Sequence, residues 1–161
     1  MAAEKEIALT VEIQWKKNIE TPDWSNDLIT VMEFLLAKLF EKERTVSVYI
    51  TDAVEMQMLN LEYRGKNSST DVLSWSYYEE DHSALHVGDL AVSWDDVCKQ
   101  ADTNGWDAKT EMIRMLVHGC CHLSGFDHER STDEEIEMLA LEEQLLTQLG
   151  LPELYDKFPF P

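Results

Sequence analysis

The sequence predicts a single α+β domain: one mixed β-sheet of roughly four strands, packed by helices. Three observations predict it. Strand and helix patterns interleave in the order β-α-β-α-β-β-α-α-α. Two of the strands, at 70–78 and 84–94, are adjacent across a short loop, as in a mixed sheet. A chain of 161 residues builds one real core, and no linker or internal repeat divides it. The predicted domain therefore spans 1–161, with 149–161 as an irregular tail rich in proline.

The elements follow in order. EIALTVEIQW (6–15) is apolar and β-branched with rough alternation, a strand pattern. SNDLITVMEFLLAKLFEKE (25–43) places Leu28, Val31, Met32, Leu35, Leu36 and Leu39 at helical spacing, with Ser25 as its expected cap. TVSVYITD (45–52) is a strand, and AVEMQMLNLEYRG (53–65) is a helix stopping near Gly65. After the polar turn 66–69 come strands at 70–78 and 84–94. Asp95 is expected to cap a helix running to about Ala101. A helix over 107–125 carries an apolar stripe and ends in a glycine, and an amphipathic helix covers 132–149.

Composition narrows the function classes. No apolar run approaches the roughly 20 residues of a membrane span, and the N-terminus lacks the apolar core of a secretory signal. The three cysteines form no CxxC pair, and adjacent Cys120 and Cys121 are poorly placed for a mutual disulfide, so the thiols are expected to be reduced and the protein cytoplasmic. The formal charge of −19 argues against a polyanionic partner. Much of the acid is concentrated in DEEIEMLALEE (133–143), which reads as a solvated helix face.

The chemistry is concentrated in HGCCHLSGFDH (118–128), which holds three of the five histidines. His118 and His122, four residues apart, share one helix face and can converge on one ion. Gly125 allows the helix to end and the chain to reverse, returning His128 to the same ion. Three imidazoles leave a fourth zinc position for water, the arrangement of catalytic rather than structural sites. Imidazole also suits copper, iron or nickel. Cys120 and Cys121 are better explained by packing than by ligation. Zinc peptidases place a glutamate base directly after the first histidine; here that residue is Gly119. A bound metal can still lower the pKa of water to about 7 without a carboxylate.

HGCCHLSGFDH closely resembles the H-G-x-L-H-L-x-G-Y-D-H signature of the YbeY family of bacterial rRNA-maturation endoribonucleases. LNLEYRGKNSSTDVLSW (59–75), VGDLAVS (87–93) and EMLALEEQLLTQLG (137–150) resemble further segments of that family. The resemblance implies a compact α+β domain, a zinc-like ion on His118, His122 and His128, and cleavage of single-stranded RNA. It also implies a role in 16S rRNA 3′-end maturation and ribosome quality control, with the ribosomal subunit or its proteins as partners. It points to Arg64 as the functional arginine; by position alone Arg64 reads as a cation complementing a helix C-terminus. The chain departs from the family pattern at Asn67 (usually Asp), Ser69 (usually Pro), Cys121 (usually Leu) and Phe126 (usually Tyr), and a looser turn before Thr70 is expected.

Four residues have two readings each. Asp127 either orients a histidine or is a turn residue. Thr70 and Asp71 either border the cleft or begin the strand, with Asp71 capping its end. Arg114 either contacts substrate phosphate or pairs with Glu111 at i, i+3. His82 and His86 are read as exposed bystanders. A basic cleft around Arg64, Lys66 and Arg114 is expected despite the acidic total. The rival functions are a ribosome-assembly adaptor with a structural metal, docking through the acidic helix, and a metallopeptidase-like hydrolase, which Gly119 disfavours.

Overall fold

The structure, a computed structural model, describes residues 10–41, 43–127, 130–152 and 154. The start of the first expected strand, His128 and most of the expected tail lie outside the described residues. The elements are β1 (Val11–Trp15), α1 (Ser25–Leu39), β2 (Thr45–Thr51), α2 (Ala53–Arg64), β3 (Val72–Ser76), β4 (His86–Ser93), α3 (Trp94–Asn104), α4 (Ala108–Leu123) and α5 (Thr132–Gln148). The four strands form one mixed sheet in the order β1-β2-β4-β3. β1, β2 and β4 run parallel, and β3 pairs antiparallel with β4. The α+β architecture and the order of elements are those the sequence predicts.

Period-two alternation decides the two faces of this sheet. Val48 of β2 lies opposite Leu90 of β4, and Ile50 opposite Val92, giving a continuous apolar face. Over it lies the main core, to which α1 contributes Leu28, Met32 and Leu35, α4 contributes Met112, Leu116 and Leu123, and α5 contributes Met138, Leu145 and Leu146. The other face is more polar, carrying Ser47 opposite Asp89. There α2 adds a small second core of Met56 against Leu73 and Ala91.

Helix α4 lies unusually close to the sheet. A Cβ added at Gly119 would stand 2.8 Å from Leu90 Cδ2 and 3.4 Å from Val72 Cγ2. One added at Gly88 of β4 would stand 2.4 Å from the Trp75 carbonyl oxygen and 2.5 Å from Leu123 Cδ2. Close packing thus favours glycine on both surfaces, against a backbone carbonyl at Gly88 and against buried side-chain methyls at Gly119.

Several caps differ from expectation. Ser25 is the first helical residue of α1 and makes no cap; its Oγ accepts the Trp15 indole N–H at 2.8 Å. The N-cap of α3 is Ser93, which accepts from Asp96 N, and the helix runs on to Asn104. Asp95 instead accepts the Ala53 N–H at 2.7 Å, serving the first turn of α2. The turn before Thr70 is held rather than loose. Gln57 Nε2 donates to Asn67 Oδ1 at 2.9 Å, Asn60 Nδ2 donates to the Ser68 carbonyl at 2.8 Å, and the Ser69 hydroxyl donates to Asp96.

Two expected outcomes follow. Gly88→Ala should lower stability by about 3 kcal/mol, the upper end of overpacking costs, because the obstacle is a backbone carbonyl; denaturant unfolding measures it. Asp52 caps α2 by accepting the Glu55 N–H at 2.9 Å and pairs with Lys16 at 2.9 Å. The Glu55 N–H foremost, then Lys16, hold its carboxyl below the ordinary 3.8. That contribution is present in full above the unfolded value and fades as pH falls through the lower folded one. Asp52→Asn keeps the cap and removes the charge, so its unfolding midpoint should lie below wild type near neutrality and converge with it in acid.

Candidate functional site

His118 and His122 lie on the last two turns of α4, both half-buried. Their rings stand edge to face at 4.6 Å, and their Nε2 atoms approach to 3.1 Å. Two imidazole nitrogens bound tetrahedrally to one zinc at about 2.0–2.1 Å would be roughly 3.3 Å apart. The spacing fits a shared ion.

Each ring is held from behind. His122 Nδ1 donates to the Phe126 carbonyl at 2.8 Å, and His118 Nδ1 donates to Glu142 Oε1 at 2.5 Å. A carbonyl or an ionised carboxylate only accepts, so both protons sit on Nδ1 in the neutral rings. With Nδ1 the donor in each ring, both Nε2 atoms are turned toward one another at 3.1 Å, a separation that a shared ion would fit. The turn after α4 makes this possible. Gly125 adopts φ 111°, its N–H returns to the His122 carbonyl at 3.0 Å, and the Phe126 N–H returns to Cys121 at 3.2 Å. The reversal brings the Phe126 carbonyl under the His122 ring.

A cleft of about 530 Å³ opens in front of the pair. Tyr63 and Arg64 at the end of α2, residues 70–75 of the β3 segment, His118, His122 and Asp127 line it. The structure therefore brings Arg64, Thr70, Asp71 and Asp127 to the same cleft as the histidine pair. It does not bring Arg114, whose guanidinium turns to Glu111, with Nε at 3.1 Å and Nη2 at 3.1 Å from its two carboxylate oxygens. Glu111 is fully buried and also accepts the Trp106 indole N–H at 3.2 Å. The expected basic cleft is corrected accordingly: among the described residues Lys66 and Arg114 do not line it, and Arg64 shares the lining with Asp71 and Asp127. Asp127 also stands 3.7 Å from Arg130.

The cysteines behave as packing residues. Burial pushes the Cys120 thiol up to about 12, and its Sγ meets Met32 Sδ at 3.8 Å. Burial, reinforced by the charge of Glu142, raises Cys121 as well. Neither offers a thiolate near neutrality. Gly119 proves to be a contact residue: a glutamate there would drive into Leu90 of the sheet.

Glu142 is the residue at the histidine pair that sequence reasoning missed. It was hidden in the acidic run of α5, read as solvated, yet it is 7% exposed. A signal existed: Glu142 falls within the stripe Met138, Leu145, Leu146, on the buried face of its own helix. His86 is also more than a bystander. It lies on β4, with Nδ1 at 2.8 Å from the Thr45 hydroxyl and Nε2 at 2.7 Å from Asp89. Burial works against the Asp89 charge, but contacts from His86, Ser47 and Tyr77 outweigh it and hold the carboxyl below its ordinary value. This network lies on the polar face of the sheet, where Asp89 is the register partner of cleft-lining Trp75. His82 stacks on Tyr78 at 4.5 Å.

Fold and cleft together define an α+β protein that presents paired, oriented imidazoles beside an arginine. The family model described as Endoribonuclease YbeY matches residues 10–150. Proteins named Endoribonuclease YbeY are similar along most of the chain. That of Roseiflexus sp. (strain RS-1) is 41% identical over 113 residues, covering 66% of this chain and 71% of its own. That of Aquifex aeolicus is 39% identical over 118 residues, covering 73% and 79%. That of Nitrosomonas europaea is 30% identical over 155 residues, covering 87% and 92%. A Thermotoga maritima protein of known solution structure shares the fold, with a TM-score of 0.57 and 22% identity over 94% of this chain and 99% of that one. The chain belongs to the endoribonuclease YbeY family.

Glu142→Gln removes the carboxylate charge behind His118 while keeping its shape. Zinc affinity, measured by titration calorimetry, should fall about 10- to 100-fold, the usual cost of losing an orienting partner.

Proposed function

We propose that the protein is a metal-dependent endoribonuclease that cuts single-stranded RNA, with zinc as its ion and 16S rRNA 3′-end maturation as its task. The observation that supports the metal reading is the approach of the two Nε2 atoms to 3.1 Å, with each ring held by a partner on Nδ1. Family membership carries the nuclease reading. His118 and His122 would hold the ion, with His128 as the expected third ligand. When bound, the ion supplies positive charge that polarises a phosphate oxygen and acidifies water.

The other residues act on substrate or on the histidines. Glu142 and the Phe126 carbonyl lock the imidazole orientations before substrate arrives. Arg64 stands on the cleft wall, where a planar guanidinium can meet the charge that builds on a phosphate during cleavage. Asp71, Thr70 and Asp127 border the same space and position substrate rather than attract it. Three free cysteines fit a reducing cytoplasm. Among the described residues no helix is long and apolar enough to cross a membrane. The ribosomal subunit is the expected partner because it carries the RNA.

The rivals lose support on separate grounds. Leu90 occupies the space a peptidase glutamate would need at position 119. Against the adaptor reading stands family membership, since the α5 acids other than Glu142 remain largely exposed.

The test is cleavage of a defined single-stranded rRNA fragment, with metal content measured in parallel. His118→Ala should lose both metal and cleavage. Arg64→Ala should keep the metal and lose about 100- to 1000-fold in kcat/KM, the scale of removing one preorganised electrostatic donor. Equal cleavage by wild type and His118→Ala would sink the nuclease reading.

A further inference from the structure

One wall of the cleft is aromatic, and the mechanism above makes no use of it. Tyr63 and Trp75 both line the cleft, one residue before Arg64 and at the far end of the β3 lining segment. Their rings meet edge to face, with centroids 5.2 Å apart and planes at 81°. Trp75 is anchored against the second core of Met56, Leu73 and Ala91. Tyr63 is 58% exposed, a large fraction for an aromatic ring fixed on a helix and braced by a second ring.

Electrostatics gives this wall its significance. The chain carries a formal charge of −19, and among the described cleft-lining residues only Arg64 bears a permanent positive charge, opposed by Asp71 and Asp127. Counterion release, which supplies most nucleic-acid affinity elsewhere, scales with the number of phosphates neutralised. Here that number is small. Resting on the endoribonuclease reading above, we propose that Tyr63, braced by Trp75, is the stacking platform for the base flanking the scissile phosphate. Stacking on aromatic faces is indifferent to sequence and independent of net charge. It demands a base already free of its pair, because duplex bases are stacked on one another and enclosed. The platform therefore does two things: it replaces missing phosphate contacts, and it admits only unpaired strands. Its position next to Arg64 in the chain ties base and phosphate to the end of one helix.

The experiment measures equilibrium binding of full-length, zinc-loaded protein to a fluorescein-labelled strand of mixed sequence with phosphorothioate linkages, by anisotropy, with a gel confirming that the strand is intact after each reading. Matched arms use the same strand with abasic sites and the fully paired duplex. Tyr63→Ala should weaken binding to the intact strand about tenfold, whereas Tyr63→Phe should bind as wild type. On the abasic strand the difference between wild type and Tyr63→Ala should vanish. The salt dependence of wild-type binding should be shallow, a slope corresponding to about one or two phosphates at roughly −0.7 each. A thermal melt checks that Tyr63→Ala is folded, which its exposure favours. Unchanged affinity of Tyr63→Ala, or an equal loss on intact, abasic and duplex substrates, would overturn the inference. If wild type cleaves single-stranded RNA while either of those results holds, only the platform falls. If wild type neither binds nor cleaves, the nuclease reading falls with it.

Discussion

The site depends on how closely helix α4 approaches the sheet. Gly119 and Gly88 remove the two side chains that would hold α4 and β4 apart, and Leu90 and Leu123 fill the space between. A helix packed at a more usual separation would carry His118 and His122 away from β3, and the cleft they share with residues 70–75 would widen. The leucine methyls in this contact are buried in close-packed surroundings, and the carbonyl beside Gly88 belongs to Trp75 of the neighbouring strand β3. The rigidity of the histidine pair begins there. The Nδ1 partners then refine what the packing has already placed.

Much of this was readable in the sequence. The order of elements, the mixed sheet and the ends of α2 and α4 followed from hydrophobic period and from Gly65 and Gly125, because those signals are local. The histidine pair was readable for the same reason: four residues on one helix fix a distance without reference to the rest of the fold. What the sequence hid was non-local. Glu142 reaches His118 from 24 residues away, and nothing in the local pattern of α5 says which of its many acids turns inward unless the apolar stripe is traced through it. Ser25 looked like a cap, but its hydroxyl accepts the Trp15 indole N–H, a partner on another element. Arg114 was legible in the opposite sense: its near neighbour Glu111 claimed it, and the cleft did not.

Arg114 also shows why an expectation built on charge alone misplaced the basic surface. Several cations among the described residues have assigned partners: Lys16 with Asp52, Lys109 with Asp27, Arg114 with Glu111, Arg130 with Glu134. In so acidic a protein a lysine or arginine is rarely far from a carboxylate, and paired charge contributes little field at a distance. Polyanion recognition then has to rely on short-range contacts inside the cleft, where geometry counts for more than total charge.

The contact between His118 and Glu142 sets an order of events during synthesis. The helix bearing the histidines is finished before α5 exists, so a growing chain acquires its imidazoles first and the carboxylate that aligns one of them later. Until residue 142 has left the ribosome and α5 has docked, His118 lacks the partner that fixes its proton. A chain still being made therefore holds an unfinished site, completed only as α5 closes over α4. For a protein whose proposed substrate is the RNA of the machine that makes it, that delay separates manufacture from action.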